Sequence, residues 1–443
     1  MTLDRIKFLL KNKDYTRLKT ELLQEHQADI AEFINELDAK TSLMVFRLLP
    51  KDVAANVFAY LAPESRSQIL LQSEETELHE ILDELFFDDK IDFLEEMPAN
   101  VVKRILRNSS EAERKLINLF LNYPENTAGS LMTIELVDLK KEMTVSEALE
   151  KIRRVAPNRE TIYTCYVTDA TRYLEGILSL RDLVIASPEQ KLETIMRKKI
   201  ISVSTLDDKE YVADLIKKYD LIAIPVTDTE NRLVGIITVD DIVDVIEDES
   251  TEDIHKMASI GEIDVDLQEA SPMFLTKKRL PWLLILVFVN IFSGLGIALF
   301  EETLQTVIAL VFFLPLLIDS AGNAGSQSAT LIIRALALGE IKIDDWLELL
   351  KKELVVSLAL GLSMAAAVSA VGFVRGGLDL AIVTSLSMAA VVLVGSTIGL
   401  CLPFLLSKFQ LDPATASGPL VTSIADIAGV IIYFSIASWY YGI

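Results

Sequence analysis

The sequence predicts a multi-domain membrane protein: an α-helical N-terminal domain, two tandem α/β domains, a connecting helix and a transmembrane domain of five helices. Three observations predict it. A quarter of the 443 residues are charged, yet mean hydropathy is positive, a combination foreign to one soluble globule. The charge is segregated: 54 acidic and 36 basic residues precede Leu280, and only 11 and 6 follow it. Between about residues 130 and 250, one order of strands and helices occurs twice.

The net charge of −23 argues against a nucleic-acid partner, because phosphate binding needs clustered lysine and arginine. An acidic excess fits cations as partners, or a plain soluble surface. The two cysteines, Cys165 and Cys401, do not make a disulfide framework. The opening MTLDRIKFLL lacks the apolar run and cleavage site of a secretory signal, so the region before the first span is expected in the cytoplasm.

Residues 1–128 read as short helices, with apolar residues at three- and four-residue spacing, as in Ile81, Leu82, Leu85, Phe86, Phe93 and Leu94. Pro50, Pro63 and Pro98 are expected near the turns between them. Residues 129–190 and 191–250 then carry the repeat. Each copy has a strand, a Thr or Asp helix start, an amphipathic helix and a strand pair around an Asp-containing turn. Each ends in Gly-Ile-x-Ser/Thr-x-x-Asp, entering a helix. This resembles a tandem pair of CBS domains packed as one pseudo-symmetric regulatory unit. The resemblance implies ribose contacts from a hydroxyl and a carboxylate at each strand–helix junction. On that ground Gly176, Ser179, Asp182, Gly235, Thr238 and Asp241 are candidates for binding a nucleotide such as ATP; the second corner could equally hold a metal.

Residues 251–279 are expected to form the connecting (plug) helix, acidic at first and ending on Lys277, Lys278 and Arg279 at the membrane edge. The apolar runs Leu280–Phe300, Leu304–Ile333, Leu350–Phe373, Leu380–Leu406 and Gly418–Tyr441 each reach the roughly 20 residues of a bilayer crossing. The second run contains Pro315, Asp319 and AGNAGSQS, which predict a break. Lysine and arginine lie before the first span, in the second loop and at Lys408, but not in the first loop or the C-terminal tail. Five crossings with that bias place the N-terminus in the cytoplasm and the C-terminus outside; Arg375 is the dissenting charge.

A carboxylate within a membrane span is a functional candidate by default, because its desolvation must be offset. Asp426 is such a residue, with no lysine or arginine near it in the last span; Asp319 is a second, nearer the interface. Small and carbonyl-exposing residues surround them in sequence: Gly322, Asn323, Gly325 and Gln327, then Gly395 and Gly399, then Ser417, Gly418 and Pro419. With Cys401 the one cysteine and no histidine in this half, oxygen donors point to a hard cation, Mg2+ or Ca2+.

The order of domains, with FFLPLLIDSAGNAGSQS and LDPATASGPLVTSIADIAG, resembles the MgtE family of bacterial magnesium channels over nearly the whole chain. The resemblance implies a homodimer in the bacterial inner membrane with a Mg2+ pore on its two-fold axis. It places the pore aspartate at Asp426 and the cytoplasmic-mouth aspartate at Asp412. It also implies Mg2+ bound between cytosolic domains that closes the pore, through Asp88, Asp92, Asp220, Asp241, Asp244, Glu249, Glu252 and Asp253. Independently, Asp88 and Asp92 share one helix face, as do Glu249, Glu252 and Asp253, and such faces repel without cations. Two other readings stay open: a secondary transporter exchanging a divalent cation for H+ or Na+, and a membrane-tethered nucleotide sensor. No P-loop, nucleophile–base pair or metalloprotease helix suggests an enzyme.

Overall fold

The computed structural model describes residues 2–72, 81–82, 85–97, 99–261, 263, 267 and 270–443. It divides into two compact units, Met1–Ile246 and Glu247–Ile443. In the first, short helices follow one another from Leu3–Lys11 to Glu111–Phe120. Their starts are written in the sequence: the side chains of Asp14, Asp38 and Ser110 accept backbone N–H groups left open by the first helical turn. Pro50 and Pro63 stand at helix starts, and Pro98 lies outside the described residues. The helices bury Phe58, Phe93 and Phe120 in a core that continues into Val212, Ile224 and Ile237 of the second α/β repeat.

The repeat is real in three dimensions. The first copy orders its strands β1 (Val137–Leu139), β2 (Thr164–Thr168) and β3 (Leu174–Ser179). The second repeats this as β4 (Val203–Ser204), β5 (Ala223–Thr227) and β6 (Leu233–Thr238). In both, the first strand pairs parallel and the last antiparallel, with a register shift at the same place, Val167/Thr168 and Val226/Thr227. The turns are made alike: Asp169 Oδ1 accepts from Thr171 and Tyr173, and Asp228 Oδ1 from Glu230 and Arg232. The copies share a small core of Leu136, Tyr166, Leu174, Ala223, Leu233 and Ile236.

The connecting helix differs from expectation. It runs from Val239 to Met257, so it begins at the end of the second repeat and stops well short of residue 279. Ser259, with φ of 57°, turns the chain out of the helix. The next helix starts at Pro272 behind a Ser271 cap, taking Lys277, Lys278 and Arg279 into its first turns.

Among the described residues, three helical stretches are long and apolar enough to cross a membrane: Pro272–Ala298, Ile343–Lys408 and Gly418–Tyr441. The predicted break in the second run is absent, and Leu310–Ala337 is one helix of 28 residues. Pro315 lies inside it as the sixth residue and forgoes one N–H bond, to the Val311 carbonyl, without ending the helix, and the small residues after it are packed against neighbours. The Trp346–Lys408 helix is two helices joined at Gly376 and Gly377, where Gly377 has φ of 74°. The halves lie close: a Cβ on Gly372 would stand 2.8 Å from Ala381 Cα. This turn is held from two sides, by Arg375 stacked 4.1 Å from the Phe312 ring and by Tyr440, which donates to Asp379 at 2.9 Å.

Candidate functional site

In the first unit, carboxylates converge from four elements. Asp88 stands in the first turn of Phe87–Glu96, Glu135 before β1, Glu160 before β2, and Asp241 in the first turn of Val239–Met257. Oxygens of Asp88, Glu135 and Glu160 lie within 4.8 Å of one another. Phe86 caps its helix without a side-chain bond, and Glu135 does the work from outside, accepting the Phe87 N–H at 3.0 Å. Asp241 accepts from the Thr238 hydroxyl at 2.7 Å.

The cluster is under electrostatic strain. Asp88 is only 9% exposed, and its Oδ1 and Glu160 Oε2 are buried without a hydrogen-bond donor among the described residues. Burial, then Asp241 and Glu160, raise Asp88 well above the ordinary carboxylate range. Burial, then Asp241, push Glu160 up to about 8; burial, opposed by the Thr238 hydroxyl, brings Asp241 to about 6. Burial also raises Glu135, against the Phe87 N–H. Lys90, on the same helix, is paired with Glu113 at 3.2 Å. Such a group of acids takes up protons or a hard cation, and its all-oxygen donor set suits Mg2+ with retained waters.

Of the expected cytosolic ligands, Asp88 and Asp241 meet here. Asp92, Asp220 and Asp244 are exposed, and Asp220 ends its helix in the left-handed region. Glu135 and Glu160 are not singled out in the sequence reading. Each is an isolated acid in a loop, without periodicity. The repeat held one signal: setting Asp169 on Asp228 puts Glu160 one residue before the counterpart of Asp220.

In the second unit, Glu249, Glu252 and Asp253 lie on the last turns of the connecting helix. Glu252 and Asp412 are both paired with Lys256, at 2.5 and 2.6 Å. Burial, then Asp412, raise Asp253. These carboxylates therefore already have an internal cation.

In the membrane helices, Asp426 Oδ1, in Gly418–Tyr441, is buried without a donor among the described residues. It faces Gly322 of Leu310–Ala337, where a Cβ would come 3.3 Å from that oxygen and 2.6 Å from Thr422 Cγ2. One turn earlier, Ser326 Oγ meets Thr422 Oγ1 at 3.0 Å and donates to the Gly418 carbonyl at 3.2 Å. Gly325, Gly395 and Gly399 let Leu310–Ala337 and Trp346–Lys408 touch backbone to backbone; a Cβ on Gly325 would lie 2.8 Å from Gly395 O. Asp319 is exposed.

At the two G-x-x-S/T-x-x-D junctions, Asp182 closes a capping box with Ser179 and lies 3.7 Å from Arg197. The glycines admit neighbouring chain: a Cβ on Gly176 would stand 2.6 Å from Met196 Sδ, and one on Gly235 2.7 Å from Thr133 O.

Residues 314–436 match the MgtE family, described as divalent cation transporters. Residues 25–126 match the MgtE intracellular N domain, and 128–189 and 192–248 each match the CBS domain. The chain is 41% identical over 429 residues to the magnesium transporter MgtE of Thermus thermophilus, with 95% of each covered. It is 33% identical over 424 residues to MgtE of Bacillus subtilis, with 93% of each covered. The solved cytosolic domain of the Mg2+ channel MgtE in complex with ATP is similar at TM-score 0.53 and 38% identity, over 55% of this chain and 100% of its own.

Proposed function

The chain belongs to the MgtE family of magnesium transporters, and from that premise we propose a homodimeric, Mg2+-selective channel that closes when cytosolic Mg2+ is plentiful. The observation that carries the pore is Asp426, whose Oδ1 lies buried among membrane helices facing Gly322, with no donor among the described residues. An acid so placed draws a cation to it. Mg2+ gives up its waters reluctantly, so Asp426 from two protomers would hold a hydrated ion rather than strip it. The break at Gly376 and Gly377 makes two crossings of one helical stretch. With Pro272–Ala298, Leu310–Ala337 and Gly418–Tyr441, this gives five, N-terminus inside and C-terminus outside.

Closure rests on the Asp88, Glu135, Glu160 and Asp241 cluster. Without cations its charges repel; with Mg2+ between them they hold the 87–96 helix against the start of the connecting helix. Asp92, Asp220 and Asp244 supply further acidic surface for Mg2+ in the first unit, and Glu249, Glu252 and Asp253 form a separate acidic face on the connecting helix. The other end of that helix packs Met257 among Ala329, Ile333, Ala414, Ala416 and Val421, which links its position to the membrane helices. ATP at the two CBS junctions is an added ligand, supported by the relative whose cytosolic domain is in complex with ATP.

Patch-clamp of reconstituted protein, with Mg2+ varied on the cytoplasmic side, tests the proposal. Current that follows the Mg2+ gradient and voltage, and falls as cytoplasmic Mg2+ rises, is expected. Flux that requires a H+ or Na+ gradient would instead make the protein an exchanger.

A further inference from the structure

An ammonium group ties the end of the connecting helix to the segment before the last membrane helix. Lys256 Nζ lies 2.5 Å from Glu252 Oε1, one turn back, and 2.6 Å from Asp412 Oδ2, 156 residues away. A pair within one helix contributes little on its own. The Asp412 arm is different, because that carboxylate is itself fixed: its Oδ1 accepts the Ala414 N–H at 2.8 Å and shapes the Pro413–Thr415 turn. The turn leads to Ser417, the cap of the last helix, whose hydroxyl meets Ser259 Oγ at 2.6 Å in a buried contact. Met257, beside Lys256, sits in the apolar cluster of Ala414, Ala416 and Val421. A charged, a polar and an apolar contact thus lie within four residues, Lys256 to Ser259, at the end of the connecting helix and the turn after it, all reaching the same short segment.

We infer that Lys256 is a resident cation of the gate: its ammonium bridges Glu252 and Asp412 and latches the connecting helix onto the Pro413–Thr415 turn. Mg2+ bound elsewhere then completes a closure that the lysine has already begun. Lys256 is a positioning residue, and the inference rests on the reading that the chain conducts Mg2+ and is closed by it. Three acids, Glu252, Asp253 and Asp412, would face one another if the ammonium were removed, and the contact would loosen.

Two measurements on the full-length protein test it. In patch-clamp, Lys256→Gln should raise the cytoplasmic Mg2+ needed for half-closure by about tenfold, with the single-channel current unchanged, and Lys256→Arg should restore the wild-type midpoint. An unchanged midpoint overturns the latch. So does a lower one, which would make the ammonium a competitor of Mg2+. The second measurement does not need conduction: oxidative cross-linking of Ser259→Cys with Ser417→Cys, in a Cys165→Ala, Cys401→Ala background without Mg2+. Yield should drop with Lys256→Gln and recover with Lys256→Arg; equal yields refute the latch. Protein that passes no Mg2+ but shows this cross-linking pattern would sink the channel reading and keep the latch. If Lys256→Gln does not fold, Asp412→Asn removes the same arm from the other side, and its cross-linking yield decides.

Discussion

Asp426 and Glu160 are both acids short of partners, and their surroundings give them different consequences. Asp426 lies among membrane helices, with Oδ1 buried and no donor. Asp426→Asn keeps the shape and removes the charge, and Mg2+ uptake should fall by at least about tenfold, a change of ~1.4 kcal/mol, with normal expression. Wild-type uptake in that variant would exclude Asp426 from the pathway. Glu160 titrates. Burial and then Asp241 hold it up to about 8, against about 4.3 in an unfolded chain. The folded protein therefore binds more protons than the unfolded chain between those values, and its stability declines as pH rises through them. Without Mg2+, the melting temperature should drop between about pH 5 and pH 8. Glu160→Gln should flatten that drop, and Mg2+ should reverse it at the upper end. A melting temperature that climbs with pH would contradict the assignment of strain to this cluster.

Among the elements, the contact of Leu310–Ala337 with Trp346–Lys408 depends on hydrogen atoms where other residues carry methyl groups. A Cβ on Gly399 would collide with the Gly325 carbonyl, and backbone on both sides leaves nothing flexible to yield. Gly399→Leu should therefore cost more than about 1–3 kcal/mol and show as lost folded protein on size-exclusion in detergent. The apolar runs were legible because lipid demands about 20 apolar residues per crossing, and the Gly376–Gly377 break fell between two of them. The connecting helix was misplaced because its acidic spacing stays helical past Met257. What ends it is the left-handed Ser259, and serine carries no such signal in sequence. Asp88 was legible through the family resemblance and its shared helix face with Asp92, and Asp241 through the second G-x-x-T-x-x-D junction. Glu135 and Glu160 did not, since only the strand pairing of the first repeat brings their loops together.

For the whole molecule, the sequence spoke most clearly where it repeated itself. Two copies with matching turns at Asp169 and Asp228 imply two matching sheets, and the sheets share even their register shift. What no repeat could reveal is which acids become crowded, because crowding is a property of the assembled unit. Its functional weight is testable. Asp88→Asn combined with Glu160→Gln removes the charge that Mg2+ neutralises, so the inhibitory Mg2+ midpoint in patch-clamp should move up by about tenfold or more. Inhibition that stays at the wild-type midpoint would detach the cluster from closure.

The turn at Gly376 and Gly377 has a mechanical consequence. Arg375 leans on Phe312 and Asp379 is tied to Tyr440, so this end of the helical hairpin is bolted to both neighbouring helices. A bundle clamped at one end behaves as a tuning fork does, with its amplitude at the opposite tips once their own contacts release. The tips here are the stretches around Asp412 and Ser417. Motion that opens a path between these helices is thus greatest where the short Pro413–Thr415 turn leads into the last helix.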